Sequence, residues 1–313
     1  MKISVLVSTC NRCDKLRLLL DTIKSAGSDW PTEVIIIDNN SSDATKQVVT
    51  EYTSLHCPVF RYLFESKPGK SCALNLGIRQ AKGEIIAFTD DDCIPSARWL
   101  TSILKEFESD PELSALGGRV ELYDERDRPQ AIVRSNLRTV VKDARQVCET
   151  PAIIGANMAF RKTVLNVVGG FDPLLGPGSV CKAVEDLDLI YRSLRRKFKI
   201  VYSPEVIVYH NHSRRTDSDE DKTSVAYALG RGAFYAKYIL RLDFRITRIA
   251  LRELRGLAKT LMKGVITRTK FPYHRLTLPA IFVGAFHYCQ ARFSWRQLPD
   301  QCATGHTLAN YVD

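Results

Sequence analysis

The stretch Gly83-Glu84-Ile85-Ile86-Ala87-Phe88-Thr89-Asp90-Asp91-Asp92 indicates the fold class of this 313-residue chain. Its apolar run is short and has no polar face, which is typical of a buried parallel strand. The strand would end in three carboxylates, at the edge of an open α/β sheet where ligands bind. Neighbouring carboxylates repel one another by roughly 4 kcal/mol per pair at about 4 Å and an effective dielectric of about 20. We therefore expect a cation there, and Asp90 and Asp92 offer the oxygen ligands that a hard divalent cation prefers.

Further strand and helix patterns surround this stretch. Strands are predicted at residues 3–8, 33–37 and 59–64, and helices at 14–25, through Val48 and Tyr52, at 71–81 and at 96–109. Strands and helices that alternate four times indicate a parallel, doubly wound sheet. Right-handed crossovers bring the carboxyl ends of its strands to one edge. Residues 9–12, 38–40 and 90–92 should therefore share one crevice.

The usual nucleotide-binding motifs are not found at this crevice. No G-x-G-x-x-G follows the first strand, which argues against a dehydrogenase-type dinucleotide fold. Gly69-Lys70-Ser71 imitates the end of a P-loop, but Phe64 stands where that motif requires its first glycine. Taken alone, an acidic triplet is more often a solvated turn before a helix. The preceding strand and the motifs below favour a metal on Asp90 and Asp92 that would hold phosphates.

The pattern changes after residue 112. We expect a strand at 113–122, a loop at 123–128, a helix at 132–147, a strand at 151–161 and a helix from Leu165 to Gly169. Residues 171–182 are rich in Gly and Pro, a composition that predicts a mobile lid near an active site.

Two candidate catalytic groups follow this segment. Glu185 and Asp186 begin a predicted helix, where the helix dipole favours carboxylates even without a function. A carboxylate that faces the crevice would instead act as a general base on a substrate hydroxyl. His210 ends an apolar run, and a neutral imidazole there would be a further metal ligand.

Composition limits the classes of protein. Hydrophobic residues make up 45% and charged residues 26%, as in ordinary globular proteins, but the net charge of +10 predicts an anionic partner. The amino terminus has too short an apolar run for a secretory signal, so we expect a cytosolic protein with reduced thiols. The nine cysteines include Cys10-Asn11-Arg12-Cys13, but no second C-x-x-C completes a zinc site.

The motifs, in this order, resemble the family 2 glycosyltransferases of the GT-A fold. The resemblance extends from Ile3 to about His212. The segments that carry it are Val7-Ser8-Thr9-Cys10-Asn11-Arg12, Val34-Ile35-Ile36-Ile37-Asp38-Asn39-Asn40-Ser41-Ser42-Asp43, Gly69-Lys70-Ser71-Cys72-Ala73-Leu74-Asn75-Leu76-Gly77, the acidic strand, Gly155-Ala156-Asn157-Met158-Ala159-Phe160-Arg161, Gly169-Gly170-Phe171-Asp172 and Glu185-Asp186.

The resemblance implies an α/β fold with a Rossmann-like mixed sheet and a role for each site residue. The expected nucleotide-sugar ligands are Thr9, Asn11, Arg12, Asp38, Lys70, Asn75, Asp90, Asp91, Glu185, Arg214 and Arg215. Within this set, Thr9, Asn11 and Asp38 would hold the nucleoside, and Lys70 and Asn75 would lie beside the phosphates or ribose.

The chemistry implied is an inverting sugar transfer from a nucleoside diphosphate sugar, with UDP as the expected nucleotide. Asp90 and Asp92 would form the D-x-D that binds the diphosphate through Mn²⁺ or Mg²⁺, with His210 as a further ligand. Asp186 would be the base that deprotonates the acceptor hydroxyl.

The C-terminal third departs from the family pattern. Residues 222–296 contain fifteen Lys and Arg against two acids, Asp243 and Glu253. Basic and apolar residues alternate at helical spacing over residues 239–259, which predicts a basic amphipathic helix on an anionic membrane. Residues 276–289 are apolar but shorter than the roughly 20 residues of a spanning helix, so they should be interfacial or packed on the domain.

These features predict two regions and one leading function. Residues 1–222 would form the catalytic domain, with a nucleotide half at 1–112 and an acceptor half at 113–222, and residues 223–313 a helical extension. The enzyme would be peripheral on the cytoplasmic membrane face and would extend a glycan or lipid-linked acceptor, with no nucleic-acid partner. Two alternatives are a sugar-1-phosphate nucleotidyltransferase, which would need a glycine-rich first loop, and a nucleic-acid-binding protein that uses the basic tail.

Overall fold

The computed structural model describes residues 2–25, 32–55, 59–149, 152–266 and 272–295. These ranges form a mixed α/β sheet with helices on both faces. The strands are β1 (Ile3–Thr9), β2 (Thr32–Asp38), β3 (Phe60–Phe64), β4 (Ile85–Thr89), β5 (Cys93–Pro95), β6 (Leu113–Leu122), β7 (Thr139–Val140), β8 (Asn157–Arg161) and β9 (Lys199–His210). The helices are α1 (Cys13–Ser25), α2 (Thr45–Leu55), α3 (Lys70–Gln80), α4 (Trp99–Ser109), α5 (Ala144–Cys148), α6 (Lys162–Val168), α7 (Glu185–Arg195), α8 (Asp217–Ile239), α9 (Phe244–Ile266) and α10 (Pro272–Trp295).

The sheet is parallel in its first half and mixed in its second. Its strand order is β3-β2-β1-β4-β8-β6-β9-β5, and β7 pairs with β9. The first four strands in this order are parallel, as the alternation of strands and helices predicts. Strand β8 runs antiparallel to both β4 and β6, so the doubly wound pattern stops there.

Both faces of the parallel strands are buried because helices cover both sides. Alternate side chains point to opposite faces of a strand. In β1, Leu6 belongs to one hydrophobic cluster, and Val5 and Val7 belong to the other. The continuous apolar runs of the sequence follow from this arrangement, since neither face is left for polar residues.

The carboxyl ends of β1, β2 and β4 meet at one edge, as predicted. Thr9 is the register partner of Asp38, and the Asn39 amide donates a 2.9 Å hydrogen bond to the Thr9 carbonyl. The acidic triplet begins one residue after Thr89, the last residue of β4. The residues expected to share a crevice are therefore neighbours.

The prediction of a helix at 132–147 is wrong. Val133 forms a bridge with Val120, β7 pairs with β9, and only the short α5 is helical. Asp143 caps α5, since its carboxylate accepts from the amides of Arg145 and Gln146 at 2.8 and 3.0 Å. Tertiary pairing at Val133, Thr139 and Val140 has replaced local helix propensity there, and the residues between them are irregular. The strand expected at 151–161 starts later, at Asn157, and Pro151 lies outside the described residues.

The predicted basic helix at 239–259 is divided between two helices. Helix α8 ends at Ile239 and α9 begins at Phe244. Ile246, Ile249 and Ala250, which the sequence assigns to a membrane-facing stripe, are buried in the main hydrophobic cluster. That part of the membrane prediction is wrong, because the protein itself covers the stripe.

Helix α10 packs closely on α8, as the packed alternative for residues 276–289 predicts. A Cβ added at Gly232 of α8 would lie 1.8 Å from the Ile281 carbonyl oxygen, and one at Gly284 would lie 1.9 Å from that of Leu229. Glycine at these two positions therefore permits the close approach of the helices.

None of the described helices contains a stretch long and apolar enough to cross a membrane.

Candidate active site

Hydrogen bonds join the turns after β1 and β2, at the side of the crevice where the sequence predicts the nucleoside. Asn11 has a left-handed backbone, with φ of 55°, and its Oδ1 accepts from the Ser42 amide at 2.7 Å. The buried Asp38 carboxylate accepts from the Ser41 amide at 2.9 Å and from the Tyr62 hydroxyl at 2.8 Å. Burial and this carboxylate raise the pKa of Tyr62 to about 12, so the phenol remains a donor.

Cations of the chain itself neutralise the acidic triplet. Arg12 donates to Asp91 at 3.0 Å and to Asp92 at 2.9 Å, and Lys70 donates to Asp90. The repulsion predicted from the sequence is therefore offset before any ligand binds. Arg12 keeps 47% of its side chain exposed, which leaves it accessible to a ligand in the crevice.

The second and third acids have opposite electrostatic environments. Burial raises the pKa of Asp91 to about 6, although Arg12 opposes the shift. Burial alone would also raise the pKa of Asp92, but His210 and Arg12 lower it below the usual aspartate range. Asp92 is therefore the carboxylate that stays ionised, as a metal ligand must be.

Asp92 and His210 form the centre of a candidate metal site. Asp92 Oδ1 lies 3.3 Å from His210 Nε2, and ligand atoms of Asp92, Cys93 and His210 lie within 4.8 Å of one another. Neither Asp92 Oδ1 nor His210 Nδ1 has a hydrogen-bond partner in the described ranges. An oxygen and a nitrogen donor with an unpartnered buried oxygen fit Mn²⁺ or Mg²⁺. Burial raises the pKa of the Cys93 thiol well above its usual value, which makes the thiol a poor ligand.

Asp90, the other predicted metal ligand, is not part of this group. Its carboxylate is bound by Lys70, whose ammonium also lies 3.4 Å from Glu185 Oε1. Burial alone would lower the pKa of Lys70, but Asp90 and Glu185 raise it well above the ordinary value. Lys70 therefore stays charged and joins the end of β4 to the start of α7.

Backbone amides orient Asp186 from two sides. The Gly155 amide donates to its Oδ2 and the Leu187 amide donates to its Oδ1, both at 2.7 Å. The residue is partly exposed at the first turn of α7, whereas the preceding Glu185 is buried. Burial raises the pKa of Glu185 to about 7, and the neighbouring Asp186 adds to the effect while Lys70 opposes it.

The resemblance implies that Asn75 lies beside the phosphates or ribose, but its side chain is occupied by the protein. Its Nδ2 donates to the Phe171 carbonyl at 2.8 Å, and its Oδ1 accepts from the Phe171 amide at 2.7 Å. Both ends of the amide are occupied, so Asn75 connects α3 to the segment before α7.

The Gly- and Pro-rich segment 171–182 is not a free lid in this structure. The Ser71 hydroxyl donates to the Leu175 carbonyl at 2.7 Å, and the Lys70 amide donates to the Pro177 carbonyl at 2.9 Å. Phe171 and Leu175 are fully buried. The segment is anchored on α3, next to Lys70, and its predicted mobility stays a prediction.

The two arginines after β9 have different surroundings. Arg215 donates to Asp127 at 2.9 Å and to Asp124 at 2.6 Å, so its predicted role on the diphosphate is replaced by a role in holding two loops together. Arg214 is half-buried, and its charge acts on both Asp92 and His212. Arg214 therefore stays the candidate for a phosphate contact.

A buried charge network behind the site is not evident in the sequence. The buried quartet consists of Asp172, Asp188, Arg192 and Lys237. Lys237 Nζ lies 2.7 Å from both carboxylates, and Arg192 Nε lies 2.8 Å from Asp188. Asp188 is one helical turn into α7 and Asp172 follows Phe171, which contacts Asn75, so Lys237 links α8 to α7 and to the segment 171–182.

Tyr227 of α8 is a second residue that sequence reasoning missed. Although 41% of the residue is exposed, partial desolvation of its hydroxyl raises its pKa, and the charge of Asp186 acts in the same direction. It therefore lies within the electrostatic range of the candidate base. The pattern of α8 carries no motif around Tyr227, so only its position identifies it.

Comparison with known families decides the classification. The profile described as Glycosyl transferase family 2 matches residues 4–169, which is more than half of the chain. The chain belongs to glycosyl transferase family 2. The matched range includes β1, the acidic triplet and Asn75, and it ends before α7 and His210.

The family 2 chain is also similar to individual curated proteins. It is 24% identical over 238 residues to the pre-mycofactocin glycosyltransferase of Mycobacterium tuberculosis, which covers 74% of this chain and 46% of that protein. It is 23% identical over 278 residues to the glycosyltransferase AglE of Haloferax volcanii, which covers 88% of this chain and 84% of that protein. The chain thus spans about half the length of the mycobacterial relative.

A solved structure confirms the GT-A fold of this family 2 chain. The mannosyltransferase PcManGT of Pyrobaculum calidifontis, in complex with GDP-mannose and Mn²⁺, has a TM-score of 0.60 and 20% identity. The similarity covers 93% of this chain and 87% of that one. At this identity the likeness shows the fold alone.

Proposed function

We propose that this family 2 chain is an inverting, metal-dependent glycosyltransferase that transfers a sugar from a nucleoside diphosphate sugar to a hydroxyl group. The observation that carries the proposal is the arrangement around Lys70, whose ammonium contacts Asp90 and Glu185. On one side lies the Asp92–His210 pair, and on the other lies the oriented carboxylate of Asp186. The proposed metal ligands and the candidate base would thus face the same crevice.

The nucleoside side is formed by the ends of β1 and β2. Thr9 and Asp38 are adjacent in the sheet, and the turns that follow them are joined through Asn11. A buried carboxylate with two accepted hydrogen bonds retains lone pairs for a donor group of a base. UDP is the expected nucleotide, and the GDP-mannose bound by the archaeal mannosyltransferase makes GDP the alternative.

The diphosphate side is positively charged through the chain's own residues and a metal. Asp92 and His210 would hold a divalent ion, which neutralises charge on a departing diphosphate when bound. Arg12 and Lys70 would exchange part of their carboxylate contacts for phosphate oxygens, which form strong charge-assisted hydrogen bonds. Arg214 would approach from the loop after β9.

Asp186 would accept the proton of the acceptor hydroxyl. The acceptor oxygen forms a bond to the anomeric carbon as the bond from that carbon to the diphosphate oxygen breaks, and the diphosphate leaves with the electron pair. A single displacement of this kind inverts the anomeric configuration. The Gly155 and Leu187 amides hold the carboxylate in place and leave each oxygen a free lone pair for the proton.

The acceptor is proposed to be a glycan or a lipid-linked saccharide at the cytoplasmic face of a membrane. The support is the basic balance of residues 222–296, with fifteen Lys and Arg against two acids. Anionic lipid attracts such a segment. The protein would then be peripheral on the membrane.

A thermal-shift panel tests the transferase proposal. UDP, GDP, CDP, dTDP and ATP are each added with and without Mn²⁺ to the wild type, to Asp92→Ala and to Asp186→Asn. A ligand at about 100 times its dissociation constant stabilises by about 2.7 kcal/mol. We expect one nucleoside diphosphate to stabilise the wild type and Asp186→Asn only with Mn²⁺, and to have no such effect on Asp92→Ala. If no nucleotide stabilises the wild type, the proposal is wrong.

Transfer assays separate the base from the binding residues. With the stabilising donor, Asp186→Asn should reduce turnover by about 10²- to 10⁴-fold, the usual contribution of a general base. Pyrophosphate release from a sugar 1-phosphate and a nucleoside triphosphate would instead support a nucleotidyltransferase. Salt-sensitive retention of DNA without nucleotide binding would support a nucleic-acid-binding protein.

A further inference from the structure

The exposed face of α10 is apolar along most of the helix. The exposed positions from 276 to 293 are Leu276, Pro279, Phe282, Val283, Phe286, Gln290 and Phe293. The three phenylalanines are 59%, 64% and 61% exposed. At 1.5 Å per residue this face is about 26 Å long, and it contains no charged residue. Continuous exposed apolar surfaces of this kind mark interaction sites.

The opposite face of α10 is already used inside the protein. Ile281 and Tyr288 are buried in the main hydrophobic cluster, and Gly284 lies against the α8 backbone. The helix is therefore fixed in rotation, and its phenylalanines cannot turn inward without losing this packing.

Helix α9, which contacts α10, adds positive charge and further apolar side chains. Arg245, Arg248, Arg255 and Lys259 are exposed and have no carboxylate within ion-pair distance among the residues that the structure describes. On the same exposed side, Phe244, Leu251 and Met262 are 77%, 48% and 65% exposed. The combination of unpaired cations and exposed apolar side chains matches an anionic lipid surface.

We propose that the exposed faces of α9 and α10, which we call the docking surface, bind an anionic bilayer. The phenylalanines of α10 would enter the boundary between headgroups and acyl chains, and the arginines of α9 would contact lipid phosphates. The proposal rests on the proposed transferase function, for which it supplies the route to a membrane-bound acceptor. It also replaces the surface predicted from the sequence, because the stripe of Ile246, Ile249 and Ala250 is buried.

A second copy of the chain fits this surface less well. Two copies joined through α9 and α10 would bring their unpaired arginines together, and like charges at an interface oppose association. A bilayer with anionic headgroups neutralises the same charges.

Liposome flotation tests the docking surface on the full chain. Vesicles of neutral phosphatidylcholine are compared with vesicles that also contain phosphatidylglycerol, at low and high salt. We expect flotation only with the anionic vesicles and a decrease with salt. Phe282→Ser/Phe286→Ser should weaken binding by about tenfold for each phenylalanine removed. Arg248→Gln and Arg255→Gln should weaken it by about fivefold each.

Matched variants elsewhere on the surface provide the control. Leu137 is 74% and Val167 is 50% exposed on other elements, and Arg98 and Lys105 are exposed basic residues on α4. Leu137→Ser/Val167→Ser and Arg98→Gln/Lys105→Gln should float like the wild type. Equal losses of vesicle binding in the test and control variants would overturn the proposal. A wild type that binds no vesicles would also overturn it, as would a wild-type dimer that Phe282→Ser/Phe286→Ser abolishes.

Nucleotide binding separates this proposal from the transferase proposal. Stabilisation by a nucleoside diphosphate and Mn²⁺ should be unchanged in Phe282→Ser/Phe286→Ser. If the wild type binds nucleotide but no vesicles, the docking surface alone is wrong. If it binds vesicles but no nucleotide, the transferase assignment fails and the lipid contact stands.

Discussion

At the scale of single residues, the candidate site has fewer cations than carboxylates around Lys70. Lys70 faces Asp90 and Glu185, and the charge of Asp186 also acts on it. One ammonium offsets the charge of three neighbouring carboxylates only in part, and burial disfavours ionisation more at Glu185 than at Asp90. This explains why the pKa of Glu185, rather than that of an exposed acid, is raised to about 7 by burial and its neighbours.

Replacement of Glu185 should have a pH-dependent effect on stability. The folded-state pKa lies above the ordinary value of 4.5, so the native state holds the extra proton, and its stabilising effect is lost as the pH rises through about 7. Glu185→Gln keeps the neutral form, and we expect it to gain on the order of 1–3 kcal/mol relative to wild type between pH 5 and pH 8. Urea unfolding at both pH values measures this change. Glu84→Gln, at an exposed carboxylate, is the control. If Glu185→Gln differs from the wild type in unfolding free energy by the same amount at pH 5 and at pH 8, the prediction is wrong.

Removal of His210 should weaken metal binding, and metal-dependent nucleotide binding should weaken with it. We expect His210→Ala to lower the affinity for Mn²⁺ by roughly tenfold or more, because the site loses the Nε2 donor that lies 3.3 Å from Asp92 Oδ1. The free Mn²⁺ signal in electron paramagnetic resonance, with and without nucleotide, measures the effect. His212 stacks edge-on to His210 with ring centroids 4.9 Å apart but lies against Asp127, so His212→Gln should bind Mn²⁺ like the wild type.

At the scale of elements, α8 supports α7 and the segment 171–182 through buried ion pairs. Lys237 is fully buried and binds Asp172 in the anchored segment 171–182 and Asp188 in α7. The Tyr238 hydroxyl also donates to Asp188 at 2.9 Å. The orientation of Asp186, two residues before Asp188, therefore depends on a helix outside the range that the family profile matches.

Loss of Lys237 should be costly. Lys237→Met leaves Asp172 without a cationic partner in the buried quartet and Asp188 with Arg192 alone. Breaking a buried ion pair costs about 3–5 kcal/mol. The double variant Lys237→Met/Asp172→Asn restores the charge balance and should recover part of this loss. Chemical denaturation measures both. As a control, Arg231→Met breaks a part-exposed ion pair with Glu253 and should lower the free energy of unfolding by less than about 1 kcal/mol. If Lys237→Met lowers it by a similarly small amount, the prediction is wrong.

At the scale of the whole molecule, the nucleotide half and the C-terminal helices share one hydrophobic cluster. Leu6 and Ile35 of the parallel strands belong to the same cluster as Phe234 of α8 and Ile281 of α10. Two regions that share a continuous core are expected to unfold together.

Unfolding of the full chain should therefore be a single transition. We expect tryptophan fluorescence and far-ultraviolet circular dichroism to give coincident urea curves, with both midpoints shifted equally by the stabilising nucleotide and Mn²⁺. A separate circular-dichroism transition at lower urea concentration that the nucleotide does not shift would show that the C-terminal helices are an independent unit.

The sequence by itself determined the parallel half of the fold, the common edge of Thr9, Asp38 and Asp92, and the family. These features depend on local patterns, since an apolar run that ends in polar residues predicts both a buried strand and the position of its end. Right-handed crossovers then place those ends together.

Only the tertiary structure decided which side chains are free and which are occupied. Asn75 and Arg215 are occupied by Phe171 and by two aspartates, and the apolar stripe of α9 is covered while that of α10 is exposed. Lys237 meets Asp172 across 65 positions of the chain. Spacing along the sequence defines the face of an element, but the partner of that face comes from long-range packing, which no local pattern contains.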